Sequence, residues 1–380
     1  DQLHSDVPMV ENVGHYIVDA GGKRLRPLLV LLSGATLGTC TDRHIKFAAL
    51  VEFIHTATLL HDDVVDISSL RRGRPTANAE FGNAPSVLVG DFLYTRAFQL
   101  MVQLEDMNLL RHMADTTNTI AEGEVLQLTR AGDAETSEAQ YLEVITRKTA
   151  ILFAAGCYGA GILSEAGETT CQNLHAFGLN LGIAFQMIDD VLDYDGDPET
   201  MGKNVGDDLT EGKPTLPLIR VLQTGDEAEK TLVRRAITDR TAEDLEAVVV
   251  AVRRCGALEY TRELARHYHD LALDCLRDLP SGAARTAMEQ IVDLSINRDH
   301  RPCPPTKLST RCLPIRHCSA WPANSRTLPS RSCLSMTRTG RRHSHGMPPA
   351  CSWISANTGW MARCSLHWSC WPSRQRCPVA

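Results

Sequence analysis

Asp299 is the last acidic residue of this 380-residue chain. Residues 1–300 carry all 46 Asp and Glu against 27 Lys and Arg, a balance of −19, while residues 301–380 carry 12 basic residues and no acid, +12. The later segment also holds all five Trp, eight of the thirteen Cys and ten of the eighteen Pro. A folded domain with a mixed-charge surface is compatible only with the first segment, so the chain is divided into a domain over 1–300 and a tail over 301–380. The chain starts at Asp1 rather than Met, which predicts a trimmed start and, by that, a weaker self-association.

Within 1–300 apolar residues recur at three and four. Leu174, Phe177, Gly178, Leu181, Gly182, Phe185 and Ile188 mark one such face. Ser137 with Gln140 and Thr241 with Asp244 have capping-box spacing, and Pro27 suits a first helical turn. Gly21-Gly22, Arg72–Pro75 and Asp195–Pro198 separate the helical runs. Val248–Val252 is the best strand candidate, and it sits inside a helical pattern. The prediction is one large all-α domain. There is no Walker loop, no dinucleotide fingerprint, no secretion signal and no apolar run of about 18 residues, which removes several nucleotide-binding and membrane-spanning classes. Cys40, Cys157, Cys171, Cys255 and Cys275 are widely spaced among apolar neighbours and read as buried reduced thiols, which fits a cytoplasmic protein.

Two aspartate clusters break the local rules. Asp62-Asp63-Val64-Val65-Asp66 and Asp189-Asp190-Val191-Leu192-Asp193 each end an apolar helical run. In each, the first and last Asp lie four apart and project from one face. Like charges at that spacing cost a helix about 0.2–0.5 kcal/mol per pair. Accepting that cost twice marks a site rather than a scaffold. Carboxylate oxygens suit Mg²⁺, which keeps waters and shares its remaining positions with substrate phosphates. Phosphates need cations, and three basic groups supply them: Lys23, Arg24 and Arg26 on a Gly turn at a helix start; Arg71, Arg72 and Arg74 just beyond the first cluster; Lys148, Lys203 and Lys213 around the second. Two diphosphate sites are expected. His55 lies two turns before Asp62 on about the same face, and Gln186 lies one turn before the second cluster.

The stretches GGKRLRP, VEFIHTATLLHDDVVD, RRGRPTANAEFGN, VGDFLYTRAF, IAEGEVLQL, RKTA, FQMIDDVLDYDGD and GKNVGDDLTEGKPTLPL, in this order, resemble the all-trans polyprenyl diphosphate synthases. Within that family they resemble most the bacterial octaprenyl branch and its nonaprenyl relatives. The resemblance covers roughly residues 3–300. It implies an all-α isoprenoid synthase (prenyltransferase) bundle around a central cavity, and a homodimer. It also implies three Mg²⁺ per active site, with Asp62, Asp63, Asp66, Asp189, Asp190 and Asp193 as the metal-binding acids. Lys23, Arg26, His55 and Arg72 would hold isopentenyl diphosphate. Arg71, Lys148, Thr149 and Gln186 would contact the allylic diphosphate, farnesyl diphosphate being the expected primer, with Lys203 and Lys213 on its phosphates. The reaction implied is ionisation of the allylic C–O bond, attack by the isopentenyl double bond, and proton loss. The small residues Ala57 and Thr58, one turn before Asp62, leave no aromatic floor and imply a long product of about eight or nine isoprene units for a quinone side chain.

Three rivals are weaker. A geranylgeranyl-length synthase requires a floor that is missing. A terpene cyclase carries a different second metal motif. A non-catalytic partner subunit has degraded motifs, and both are intact here. Neither a nucleic-acid partner nor a lasting membrane attachment is expected; contact with a membrane would be transient, for product release. The tail offers a basic disordered extension, a Cys/His metal module without paired CxxC spacing, or translation in a shifted reading frame of a GC-rich gene. The last reading accounts best for its acid-free composition.

Overall fold

The structure is a computed structural model that describes residues 2–195 and 206–297. Lys203 and residues 298–380, the tail included, lie outside the described residues. The chain divides into two units, Asp1–Lys307 and Leu308–Ala380, and every described residue belongs to the first.

Helices account for most of the described chain. α1 (Pro8–Asp19), α2 (Leu25–Thr36) and α3 (Asp42–Val65) lead to a short antiparallel hairpin, β1 (Leu70–Arg71) and β2 (Arg74–Pro75). α4 (Ala77–Phe81), α5 (Asn83–Val102), α6 (Met107–Arg130) and α7 (Glu138–Ile145) follow. One π-helical turn, Thr146–Ala150, runs from α7 into α8 (Ile151–Leu163), and α9 (Glu168–Asp195) is the longest helix described. α10 (Asp207–Thr210), α11 (Leu216–Thr224), α12 (Glu227–Asp239), α13 (Leu245–Arg254), α14 (Ala257–Leu276) and α15 (Ala283–Ile296) complete the unit. The run Val248–Val252 is helical, because it lies within α13.

α9 packs along α8 on one side and α14 on the other, while α3 packs against α5, α2 and α8. Leu174, Phe177, Leu181 and Ile188 are buried as their spacing predicts. The α8–α9 crossing depends on two glycines of that face. A Cβ on Gly178 would lie 2.5 Å from the Phe153 carbonyl oxygen, and one on Gly182 would lie 2.6 Å from Ala150 Cα. Such backbone-to-backbone approach brings the turn that precedes α8 against the middle of α9.

Local signals hold in part. Ser137 and Gln140 form the expected reciprocal cap of α7. Thr241 does not start a helix: its hydroxyl accepts from Glu243 N–H in a turn, and α13 begins at Leu245. Cys157 and Cys171 are buried, but Cys40 is exposed at the end of α2's loop, and all five described cysteines are free thiols. Among the described residues no helix is long and apolar enough to cross a membrane.

Candidate active site

α3 and α9 each end in their aspartate motif. Asp62 and Asp63 occupy the last turn of α3 and Asp66 is its C-cap; Asp189, Asp190 and Asp193 lie in the last two turns of α9. A helix C-terminus is already the negative end of the backbone dipole. Carboxylates there need cations nearby.

Two lysines provide them. Lys148 Nζ lies 3.5 Å from Asp62 Oδ1 and 2.5 Å from Glu124 Oε2. Lys213 Nζ lies 2.9 Å from Asp66 Oδ2 and also pairs with Glu211. Burial pushes the Lys148 ammonium down, but Asp62 and Glu124 more than offset it and raise it above the ordinary lysine range. Lys213 is raised likewise by Asp66 and Glu211 against its burial. Glu124 is pushed up to about 7 by burial and then by Asp62. Glu211 is pushed up to about 7, mainly by burial.

The π turn explains the placement of Lys148. An extra residue in one turn shifts the side chains that follow. Here it turns Lys148 toward α3 and α6 and Thr149 toward α9. Thr149 Oγ1 donates to Gln186 Oε1 at 3.1 Å, and Gln186 Nε2 donates to Asp190 Oδ1 at 2.9 Å. The two aspartate motifs are therefore linked through Lys148, Thr149 and Gln186. Gly123 of α6 permits this, because a Cβ there would lie 2.8 Å from the Lys148 backbone nitrogen.

A second basic cluster flanks the first motif. Arg26 Nη1 donates to His55 Nε2 at 3.2 Å, and the guanidinium stacks over Phe153, 4.1 Å from the ring centre. Arg has only donors, so His55 Nε2 accepts and its proton sits on Nδ1. Burial, then the charges of Arg26, Arg71, Arg72 and Arg24, hold His55 well below its usual range, so it is neutral. Burial also pushes Arg26 down to about 10, against the pull of Glu52 and Asp189, and it stays charged near neutrality. Arg24 pairs with Glu52, and Arg72 donates to the Gly21 carbonyl. Both arginines have left-handed backbone, φ 49° and 56°, a costly conformation that fixes where each guanidinium begins. Lys23 is exposed in the same turn.

Three of the six aspartates expected on metal, Asp63, Asp190 and Asp193, are buried and engaged by protein groups. Asp63 is 0% exposed and is gripped by Arg71 through Nε at 2.9 Å and Nη2 at 2.7 Å. That fork ties Arg71, expected on the allylic diphosphate, and with it the β1–β2 hairpin, to α3. Asp190 is 3% exposed, and besides Gln186 it accepts from Tyr141 Oη at 2.6 Å. Burial and then Asp208 push its carboxyl up to about 8. Asp193 is buried, with Oδ2 3.4 Å from the Asp208 N–H. Asp62 and Asp66 remain partly exposed, and Asp189 lies close enough to Arg26 to act on its charge. Ala57 is buried in a cluster with Val13, Ile17, Val89 and Leu93, and the half-buried Thr58 donates its hydroxyl to the His55 carbonyl.

Glu124, Glu211 and Tyr141 are the residues that the sequence reading missed. Each lies in or near a quoted stretch, but only the fold brings it to a lysine or an aspartate. Among the described residues no three His, Cys, Asp or Glu side chains form a cage that would hold an ion alone. Mg²⁺ does not require one: one or two carboxylates suffice when waters and substrate phosphates fill the other positions. Oxygen donors at Asp62 and Asp66, each already facing an ammonium, fit such an ion.

Residues 7–253 match the polyprenyl synthetase family. The chain is 48% identical over 300 residues to the octaprenyl diphosphate synthase of Escherichia coli (strain K12), covering 79% of this chain and 93% of that protein. It is 46% identical over 297 residues to the all-trans-nonaprenyl-diphosphate synthase (geranyl-diphosphate specific) of Rhodobacter capsulatus, covering 78% and 91%. A crystal structure of polyprenyl synthase from Caulobacter crescentus CB15, complexed with calcium and isoprenyl diphosphate, superposes with a TM-score of 0.76 at 45% identity, covering 78% of this chain and 92% of that one.

Proposed function

The chain belongs to the polyprenyl synthetase family, and from that premise we propose that it is a long-chain all-trans polyprenyl diphosphate synthase. It condenses isopentenyl diphosphate repeatedly onto an allylic diphosphate, farnesyl diphosphate for preference, to about C40–C45, a length suited to a quinone side chain. The observation that carries this is the linkage of the two aspartate motifs through Lys148, Thr149 and Gln186, which gathers metal-type carboxylates and phosphate-type cations at one place.

Asp62, Asp66 and Asp189 would hold Mg²⁺, three ions per site by the family resemblance. A metal held there would supply neutralisation of charge on the leaving diphosphate. Lys148 and Lys213, freed from Asp62 and Asp66, face the same phosphates, as does Lys203. Lys23, Arg26, His55 and Arg72 hold isopentenyl diphosphate; a neutral His55 donates from Nδ1 without adding charge. When the allylic C–O bond ionises, the Gln186 carbonyl and the Thr149 hydroxyl stand as dipoles beside the cation. The isopentenyl double bond then attacks, and the released diphosphate takes the proton. Asp63 and Arg71 brace the first motif, and Asp190 and Asp193 brace the second.

Residues 1–300 suffice on this reading, the protein is cytoplasmic, and the product reaches a membrane only on release. A homodimer is part of the proposal. Met107, Ala114, Asn118, Ala121, Val125 and Leu128 form an exposed stripe of heptad spacing along α6, and Leu88 and Val102 are exposed on the neighbouring α5.

The test is incubation with labelled isopentenyl diphosphate and farnesyl diphosphate, with and without Mg²⁺, followed by sizing of the dephosphorylated alcohols. Expected are C40–C45 products that vanish with a chelator, and at least about a hundredfold loss of kcat in Asp62→Ala. Ala57→Phe should shorten the product. A wild-type chain that stops at C20 would overturn the long-chain reading.

A further inference from the structure

α7 and the π turn are tied to α9 at two points. At one, the buried Tyr141 hydroxyl donates to Asp190 Oδ2 at 2.6 Å. At the other, Thr149 Oγ1 donates to Gln186 Oε1 at 3.1 Å. The ties are joined, because Gln186 Nε2 donates to Asp190 Oδ1 at 2.9 Å. Both carboxyl oxygens of Asp190 are thus engaged by side chains, and the Gln186 amide is held at both ends, its NH₂ on the carboxyl and its carbonyl on the Thr149 hydroxyl. The amide accordingly takes the orientation in which its NH₂ faces Asp190 and its carbonyl faces Thr149. Without the phenol, Asp190 keeps one of these two partners, and its carboxyl is free to turn and take the amide with it. The segment that begins at Tyr141 also carries Lys148 seven residues on, so the same tie bears on where the ammonium meets Asp62.

We propose that Tyr141 is a positioning residue for prenyl transfer, fixing through Asp190 the orientation of the Gln186 amide and the seat of the turn that bears Lys148 and Thr149. This rests on the reading of the site given above. The phenol ring packs with Ile145, Ile183 and Met187, and phenylalanine preserves that packing. Only the hydroxyl is then under test. Tyr260 supplies a control: its hydroxyl donates to Glu138 of α7 at 2.8 Å, on the same helix but not on Asp190.

The experiment compares the wild type, Tyr141→Phe, Asp190→Asn, their double variant and Tyr260→Phe in steady-state isopentenyl transfer, with melting temperatures recorded alongside. Tyr141→Phe should lower kcat about tenfold while the KM for isopentenyl diphosphate stays within about twofold, since Arg26, His55 and Arg72 are untouched. Asp190→Asn, whose amide can turn Gln186 round, should lower kcat similarly, and the double variant should be no worse than the poorer single one. Tyr260→Phe should keep kcat within about twofold. A Tyr141→Phe enzyme with wild-type kcat, or losses that multiply in the double variant, or a deficit no larger than the unfolded fraction, overturns the proposal. If Tyr141→Phe does not fold, Asp190→Asn alone decides, by a fall in kcat at constant KM or none. A wild type that consumes no isopentenyl diphosphate instead removes the functional reading, and the proposal with it.

Discussion

His112 shows how burial sets the behaviour of one residue away from the aspartates. Its ring lies against Tyr158, 4.3 Å between centres, with His175 6.1 Å away. Burial, then the charge of His175, push it down to about 4, against a weaker pull from Asp115. In the unfolded chain it titrates near 6.5. Below 6.5 the unfolded form takes up a proton that the folded form refuses. Its contribution is therefore complete above about pH 6.5 and lost as pH falls toward 4, up to about 3 kcal/mol for this one group. His112→Phe keeps the stack on Tyr158 and removes the proton site. Thermal melts of the variant should fall less between pH 7 and pH 5 than those of the wild type; an unchanged pH slope would refute the assignment.

Among the elements, the π turn depends on a single missing methyl group. Gly123→Ala places a Cβ 2.8 Å from Lys148 N and 2.9 Å from the Arg147 carbonyl carbon, so α6 and the turn must separate. The expected cost is about 1–3 kcal/mol of stability. Because Lys148 moves with the backbone, kcat should fall about tenfold or more; a variant that loses melting temperature but keeps kcat would show that the turn need not be where it is. The spacing of Leu174, Phe177, Leu181 and Ile188 made α9 legible before any coordinates, as did the two aspartate runs at helix ends. The turn itself was not legible. Thr146–Ala150 reads as ordinary helix, and nothing local marks the close approach of α6 that Gly123 allows from a distant segment. The division of the six aspartates was hidden for a similar reason. Burial against Arg71 or Tyr141 is a property of packing, and the same DDxxD spelling serves a side chain turned outward and one turned in.

For the whole molecule, the α5–α6 surface is where self-association should be sought. Met107, Val125, Leu128, Leu88 and Val102 are each more than half exposed. Replacing Val125 and Leu128 together by Asp leaves the buried side of α6 alone and puts charge in the stripe. Sedimentation should find a dimer for the wild type and a monomer for the variant; a dimer in both would move the interface elsewhere.

The pairing of Lys148 with Asp62 and of Lys213 with Asp66 has a bearing on how the site fills. On the proposed reading, Asp62 and Asp66 would hold a divalent ion only in competition with the ammonium that each already faces. The evicted ammonium needs somewhere to go, and a pyrophosphate group delivered with the ion is a ready host. Cation and substrate would then bind most favourably together, through an exchange of counter-ions at Asp62 and Asp66.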